Sequence, residues 1–365
     1  MRAAPSRLRT PQHEPPADPV SQRWLIGGWI VVALFAAVTA WRSEVVEIPL
    51  RDPGGRMFQG RLTSALVLFG VLVAVDVAVR SLRAGTGLRG MLTMLRLRWL
   101  GPRLAAALSG LLAYHVVYIC YRNLKSWDAF NRVRDQQLLD FETWLFLGNS
   151  PASLLHDVLG EGTAAHVLAF IYRSFTYLVP TSVVASLVFL DRSRDGYVFL
   201  TAAMWVWILG VASYYLIPSL GPFASAPEDF SDLPKTAITS TQTEYLVERA
   251  YLLANPAAGD AFASISAFAS LHVGFTCMVL MMLLYYGRVG AAKLLGIYLA
   301  GTMLATVYFG WHFVVDDVAG VMLAYLAVLL ARLMIYPGSR RAPWRLVDGV
   351  HRDRATASAG GGGDP

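Results

Sequence analysis

The sequence predicts an all-α, polytopic integral membrane fold of about eight transmembrane helices, with amphipathic helices lying at the interface. Three observations predict it. Hydrophobic residues make up 55% of the chain and charged residues only 15%, whereas a soluble domain carries about 25% charged; the mean hydropathy is +0.47. Apolar runs recur at the length of one helical crossing, about 20 residues. Arginines gather beside alternate runs, the pattern expected of loops held on one side of a membrane.

The same composition excludes other classes. The net charge of +6 is read as loop charge on one membrane face, so no nucleic-acid partner is expected. Cys120 and Cys277 both sit in apolar runs, which implies no disulfide framework. No internal repeat stands out.

In chain order, residues 1–22 are rich in Pro and Arg and are expected to form a disordered cytoplasmic arm. They carry no signal-peptide pattern. Residues 24–41 form the first predicted span, with Trp at both ends as in an aromatic belt. A short charged loop leads to a second span at 62–79. Asp76 and Arg80 lie one turn apart near its end and are read as a pair settled at the interface. These two spans and the basic loop after them make an additional unit, 23–98. The stretch 80–103 carries Arg80, Arg83, Arg89, Arg96, Arg98 and Arg103, a strong inside signal.

A six-helix core is expected over 99–336. Its first span is 99–121. The polar stretch 122–162 is read as one or two interfacial amphipathic helices, broken at Gly148 and Pro151. Spans follow at 164–189 and 198–217. After Pro218 comes a loop of about fifty residues, rich in turn formers and more acidic than basic, which argues for the outer face. The last spans are 268–286, 291–309 and 313–336. A basic, Gly-rich tail, 337–365, is expected to be disordered in the cytoplasm. Eight spans put both termini on one side, and the arginine-rich loops fall on that same side. The expected location is therefore the plasma membrane, with the termini inside.

The chemistry-bearing residues lie in the last three spans. His312 and Asp316 are four residues apart and share one helix face. An aspartate there holds one imidazole nitrogen and leaves the other free to attack. A buried His–Asp pair that only satisfies itself is the alternative. His272 lies 40 residues upstream. One crossing out and one back, at about 20 residues each, return the chain to the same depth. Two histidines and one carboxylate thus converge near the outer leaflet, where an ionisable group is a functional candidate. Asp317 is read as a helix N-terminal charge in preference to a second acceptor. Zinc is the metal that two histidines and a carboxylate would suit. Trp205, Trp207, Tyr214 and Tyr215 are read as packing and interface anchors.

Ser270-Leu271-His272, followed by the run from Thr306 through Gly310, Trp311 and His312 to Asp316 and Gly320, resembles the last two motifs of the type-2 phosphatidic acid phosphatase superfamily. The Ser-Leu-His form is most similar to its inositol-phosphorylceramide-synthase-like, or inositolphosphotransferase-like, branch. The stretch from Tyr215 to Phe223 resembles that branch's first motif. The similarity covers roughly residues 140–336 and leaves the first two spans outside it.

The resemblance implies a metal-independent reaction, without cofactor, through a phosphohistidine. His312 would attack phosphorus, Asp316 would orient it, and His272 would protonate the leaving oxygen and then activate the acceptor. The substrate implied is a lipid phosphate ester among membrane lipids; the acceptor is water or a polyol or lipid hydroxyl. The sequence departs from the superfamily's phosphatases. Their first-motif lysine and arginine have no match in 215–223, and their Ser-Arg pair is replaced by Ala305 and Thr306. Something else must meet the phosphoryl charge. The backbone amides of Ser270, Leu271 and His272 at a helix start are one source. Arg173 is the best candidate cation, roughly 15 Å along its span, on one face with His166 and Tyr177; its alternative is a structural ion pair with Asp316 or Asp317. A transporter or a catalytically inactive scaffold of the same fold is the rival reading, although the inverted repeats or broken helices of a transporter are not seen.

Overall fold

The computed structural model describes residues 23–337; the arm at 1–22 and nearly all of the tail lie outside it. Thirteen α-helices and no strand occur among the described residues. In order they are α1 (Arg23–Val46), α2 (Gln59–Arg83), α3 (Gly87–Trp99), α4 (Pro102–Trp127), α5 (Asp135–Leu145), α6 (Pro151–Leu159), α7 (Thr163–Phe189), α8 (Ser193–Leu216), α9 (Pro222–Ser225), α10 (Ala237–Ala254), α11 (Leu271–Tyr285), α12 (Val289–Tyr308) and α13 (Val314–Ile335).

Among the described residues seven helices are long and apolar enough to cross a membrane: α1, α2, α4, α7, α8, α12 and α13. The eighth predicted span is α11, apolar but only 15 residues, or about 22 Å at helical rise. The chain reaches it through a non-helical stretch in which Ala261, Ala263, Ile265, Ala267 and Ala269 are buried. Irregular backbone at membrane depth is tolerated where protein covers it.

The helices pack around α8, which is flanked by α4, α7, α11 and α13. Its two faces are both buried, so it carries no polar stripe. α11 and α13 cross closely at Gly274 and Gly320. A Cβ on Gly320 would stand 2.5 Å from the Ser270 carbonyl, so only glycine permits this approach, two residues before His272. At the end away from these residues, Asp76 accepts from Arg80 Nε at 2.7 Å, Arg98 Nε at 2.9 Å and Trp99 Nε1 at 3.3 Å. Asp191 meets Arg80 at 2.7 Å. The expected Asp76–Arg80 pair is thus the centre of a larger ion network that ties α2 and α3 to the α7–α8 turn.

Two helices correct the sequence reading. The basic stretch after α2 contains α3, whose Arg96 and Arg98 lie in its last turn. The region expected to be a long loop contains α10, capped by Thr236, whose hydroxyl accepts from the Ile238 and Thr239 amides. The amphipathic pair expected in 122–162 is α5 and α6; residues up to 127 instead extend α4.

Candidate active site

The site is a cavity of about 310 Å³ at one end of the bundle. α10 lies over it, contributing Ile238, Thr241 and Tyr245; α4, α7 and the segment entering α11 make its walls.

His312 stands in the turn between α12 and α13. α12 ends as the Thr306 carbonyl accepts both Trp311 N–H at 3.0 Å and His312 N–H at 3.3 Å. Gly310 makes the turn at φ +65°, where a Cβ would collide with the Phe230 ring. The Asp316 carboxylate accepts the Phe313 amide at 3.0 Å through Oδ2, capping the start of α13. The same oxygen lies 3.5 Å from His312 Nδ1, slightly beyond hydrogen-bond range; contacts of this kind are often long before substrate binds. Burial pushes the His312 imidazole down, to about 4, against the opposing pull of the Asp317 carboxylate. The ring is therefore neutral, and a potential nucleophile, at ordinary pH.

Asp317 does more than charge a helix start. It is 2% exposed, and its Oδ2 accepts the Thr306 hydroxyl at 2.8 Å. Thr306 thus anchors this carboxylate, which in turn faces His312. Asp316 thus lies within 3.5 Å of Nδ1, and the Asp317 charge also bears on the ring.

His272, in the first turn of α11, lies 6.2 Å from His312 between ring centroids. α7 fixes it. Tyr172 stacks on it at 4.1 Å and Phe175 lies at 4.3 Å. Tyr172 also stacks parallel to Trp311 at 5.8 Å, so one tyrosine registers both histidine-bearing segments.

The amides at the start of α11 are not equivalent. Ser270 N–H donates to the Asp316 carbonyl at 3.0 Å, and its hydroxyl sits at the N-cap, 3.5 Å from the Val273 amide. Ser270 is fully buried and does not line the cavity; it locks α11 to α13. Leu271 and His272 do line it, and their amides belong to the first turn, which has no helical acceptor for them.

Three cations line the cavity: Arg122 and Lys125 from α4, and Arg173 from α7. Arg173 is exposed at the mouth, on an outward face shared with His166 and Tyr177. No ion pair joins it to Asp316 or Asp317 among the described residues. Arg122 donates to Ser264 Oγ at 3.1 Å, and the Lys125 ammonium lies 5.4 Å from the Tyr214 ring centroid. Sequence reasoning missed Arg122 and Lys125, which it placed in an interfacial stretch. Their i, i+3 spacing next to an apolar run was the available signal. Among the described residues no carboxylate lines the cavity, so its charge favours an anion.

The segment resembling a first motif is scaffolding. Ser219 holds the Ala267 amide through its carbonyl at 2.8 Å and the Phe268 amide through its hydroxyl at 3.0 Å. Asp135 of α5 accepts the Leu220 and Gly221 amides at 2.8 and 2.9 Å. Glu142, also on α5, accepts the Val314 amide at 2.5 Å and so braces the start of α13 beside His312. Burial raises the Glu142 carboxyl to about 7; the Val314 amide pulls it down and the Asp316 charge adds to the rise.

Comparison with protein families matches residues 136–330, more than half of the chain, to the PAP2 superfamily. The chain belongs to the PAP2 superfamily. Members of the PAP2 superfamily are phosphatases or phosphotransferases. Neither the curated proteins nor the solved structures contain a match to the chain. The PAP2 match holds both histidines, both aspartates and Arg173. It begins after α4, so Arg122 and Lys125 lie outside it.

Proposed function

We propose that this PAP2 protein is an integral membrane phosphatase or phosphotransferase that acts on a lipid phosphate ester through a phosphohistidine. The observation that carries the reading is the pairing of two imidazoles 6.2 Å apart with three cations in one cavity lined by no carboxylate. That separation leaves room for a phosphoryl group between a nucleophile and a proton donor.

In this reading the neutral His312 attacks phosphorus and the ester oxygen leaves with a proton from His272. Asp316 and Asp317 stabilise the imidazolium that forms at His312. His272, now a base, takes the proton of the acceptor hydroxyl, which attacks the phosphohistidine and regenerates His312. Arg122, Lys125 and Arg173 neutralise the equatorial oxygens, with the Leu271 and His272 amides as neutral donors. The arginine distribution supports termini inside the plasma membrane and a site facing the outer leaflet. The Ser-Leu-His form supports an inositolphosphotransferase-like acceptor preference.

The test is turnover by the purified protein. Dioctanoyl phosphatidic acid in detergent, with and without an added polyol, should give inorganic phosphate, a phosphorylated polyol, or both. A protein that is folded, monodisperse and inert towards phosphate mono- and diesters of lipids would contradict the proposal.

A further inference from the structure

α1 and α2 precede the matched region, yet their connecting loop grips the segment that enters α11 and walls the cavity. We infer that this N-terminal helix pair is a clasp on the active site, and that Arg51 is its positioning residue. The inference rests on the cavity being the active site.

The loop is built to present Arg51. Ser43 Oγ donates to the Ile48 carbonyl at 2.6 Å, and the Asp52 carboxylate accepts the Met57 and Phe58 amides at 2.7 and 3.1 Å. Arg51 between them is 8% exposed. Its side chain donates to the Ala261 carbonyl from Nη1 and to the Pro256 carbonyl from Nη2, both at 2.7 Å. Its backbone is gripped as well: Arg51 N–H donates to Asn123 Oδ1 at 2.8 Å, and Asn123 Nδ2 donates to the Arg51 carbonyl at 2.9 Å. Asn123 stands on α4 between the cavity cations Arg122 and Lys125.

The gripped segment leads directly into the site. Three residues after Ala261 the chain lines the cavity with Ser264, Ile265 and Ser266, and it continues to His272. The segment is fastened at several further points to α4 and to Asp128 just after it. Ala263 N–H donates to Ser126 Oγ at 2.9 Å, Ser266 Oγ to Asp128 Oδ2 at 3.0 Å and Arg122 to Ser264. Arg51 is the fastening that comes from outside the core. It joins the start of this segment to α4 through a charged fork, whose two donors match two carbonyls that no helix uses. No carboxylate pairs with it among the described residues, so the guanidinium is buried on carbonyls alone. Removing it leaves those carbonyls unsatisfied. α2 makes a second contact: the Arg61 guanidinium lies 4.5 Å over the ring of Tyr118, another cavity residue.

A clasp predicts a local loss, and the full-length protein tests it with Arg51→Met and Arg51→Lys. Hydrogen exchange should show protection falling selectively in 256–266 in the Met variant, with α8, α11 and α13 retained. On dioctanoyl phosphatidic acid the KM should rise about tenfold and kcat should change less, since this wall segment orders the bound headgroup. Lysine keeps the charge and reaches one carbonyl, so it should restore part of both effects. Unchanged exchange in 256–266 would overturn the inference, as would protection lost evenly across the bundle. Lost protection in 256–266 with an unchanged KM would overturn it too. If the wild-type protein turns over no lipid phosphate, the exchange measurement still decides the clasp, and the enzymatic reading falls by itself.

Discussion

The cavity has two walls of different origin. The histidine wall, His272 and His312 backed from behind by Asp316 and Asp317, lies within the PAP2 match; most of the cation wall, Arg122 and Lys125, stands on a helix before it. The difference follows from what each wall must do. Nucleophilic attack and proton transfer need atoms aligned to within a fraction of an ångström. That demands a fixed local spacing and the tight α11–α13 crossing at Gly320. Charge neutralisation acts over several ångströms in a poorly screened cavity. A cation can therefore be delivered by any helix that packs there, and no motif records it.

The comparison breaks first at the histidine wall. His312→Ala or His272→Ala should lower turnover by about 10⁴-fold while the melting temperature stays near that of the wild type. Activity within tenfold of wild type in either variant would move the chemistry elsewhere. Gly320→Ala sharpens the point from the backbone. The added methyl meets the Ser270 carbonyl, so helix α11 must shift, and activity should fall about as far with an accompanying loss of stability measured by thermal unfolding in detergent.

The cation wall should give smaller losses. Lys125→Ala and Arg122→Ala should each reduce kcat/KM by about 10²-fold, the scale of one transition-state donor. Arg173, exposed at the mouth, should cost about tenfold as Ala and recover partly as Lys, because the planar fork is lost. If Arg173→Ala exceeded Lys125→Ala, the residue singled out from the sequence would be the principal clamp and α4 would be secondary.

The smallest effect is in stability against pH. Glu142 titrates at about 7 in the folded protein, above its ordinary range of about 4.3. A carboxyl raised on folding stabilises fully below its unfolded value, and that contribution is lost as pH rises through the folded value. Wild-type protein should therefore lose melting temperature between about pH 4.5 and pH 7 relative to Glu142→Gln. A Gln variant with the same pH profile would remove Glu142 from the brace on α13.

Much of this was legible in the residues. Long apolar runs announce the spans because lipid leaves the backbone few alternatives to a helix. The four-residue His–Asp spacing and the out-and-back separation of the histidines announce the reactive wall, although His312 stands in the turn before α13 and not on one helix face with Asp316. α10 was hidden because Pro234 and Asn255-Pro256 frame it like a loop, although Ile238, Gln242, Tyr245, Arg249 and Leu252 recur at helical spacing. Asp317 was misread because only the fold shows Thr306 turned towards it. Ser270 was expected to offer its amide to phosphate, and the crossing with α13 takes that amide instead. Arg51 and Asn123 are 72 residues apart in sequence, and nothing local links them.

His312 as the nucleophile is tested most directly by one measurement. His272→Ala protein is mixed with a nitrophenyl phosphate, whose leaving group needs no proton, and quenched in acid. Mass spectrometry of the peptide containing His312 should show an added phosphoryl group that decays slowly, because the base for the second step is gone. A substrate that wild-type protein turns over, with no adduct in the variant at any time, would contradict the account and favour direct attack by water.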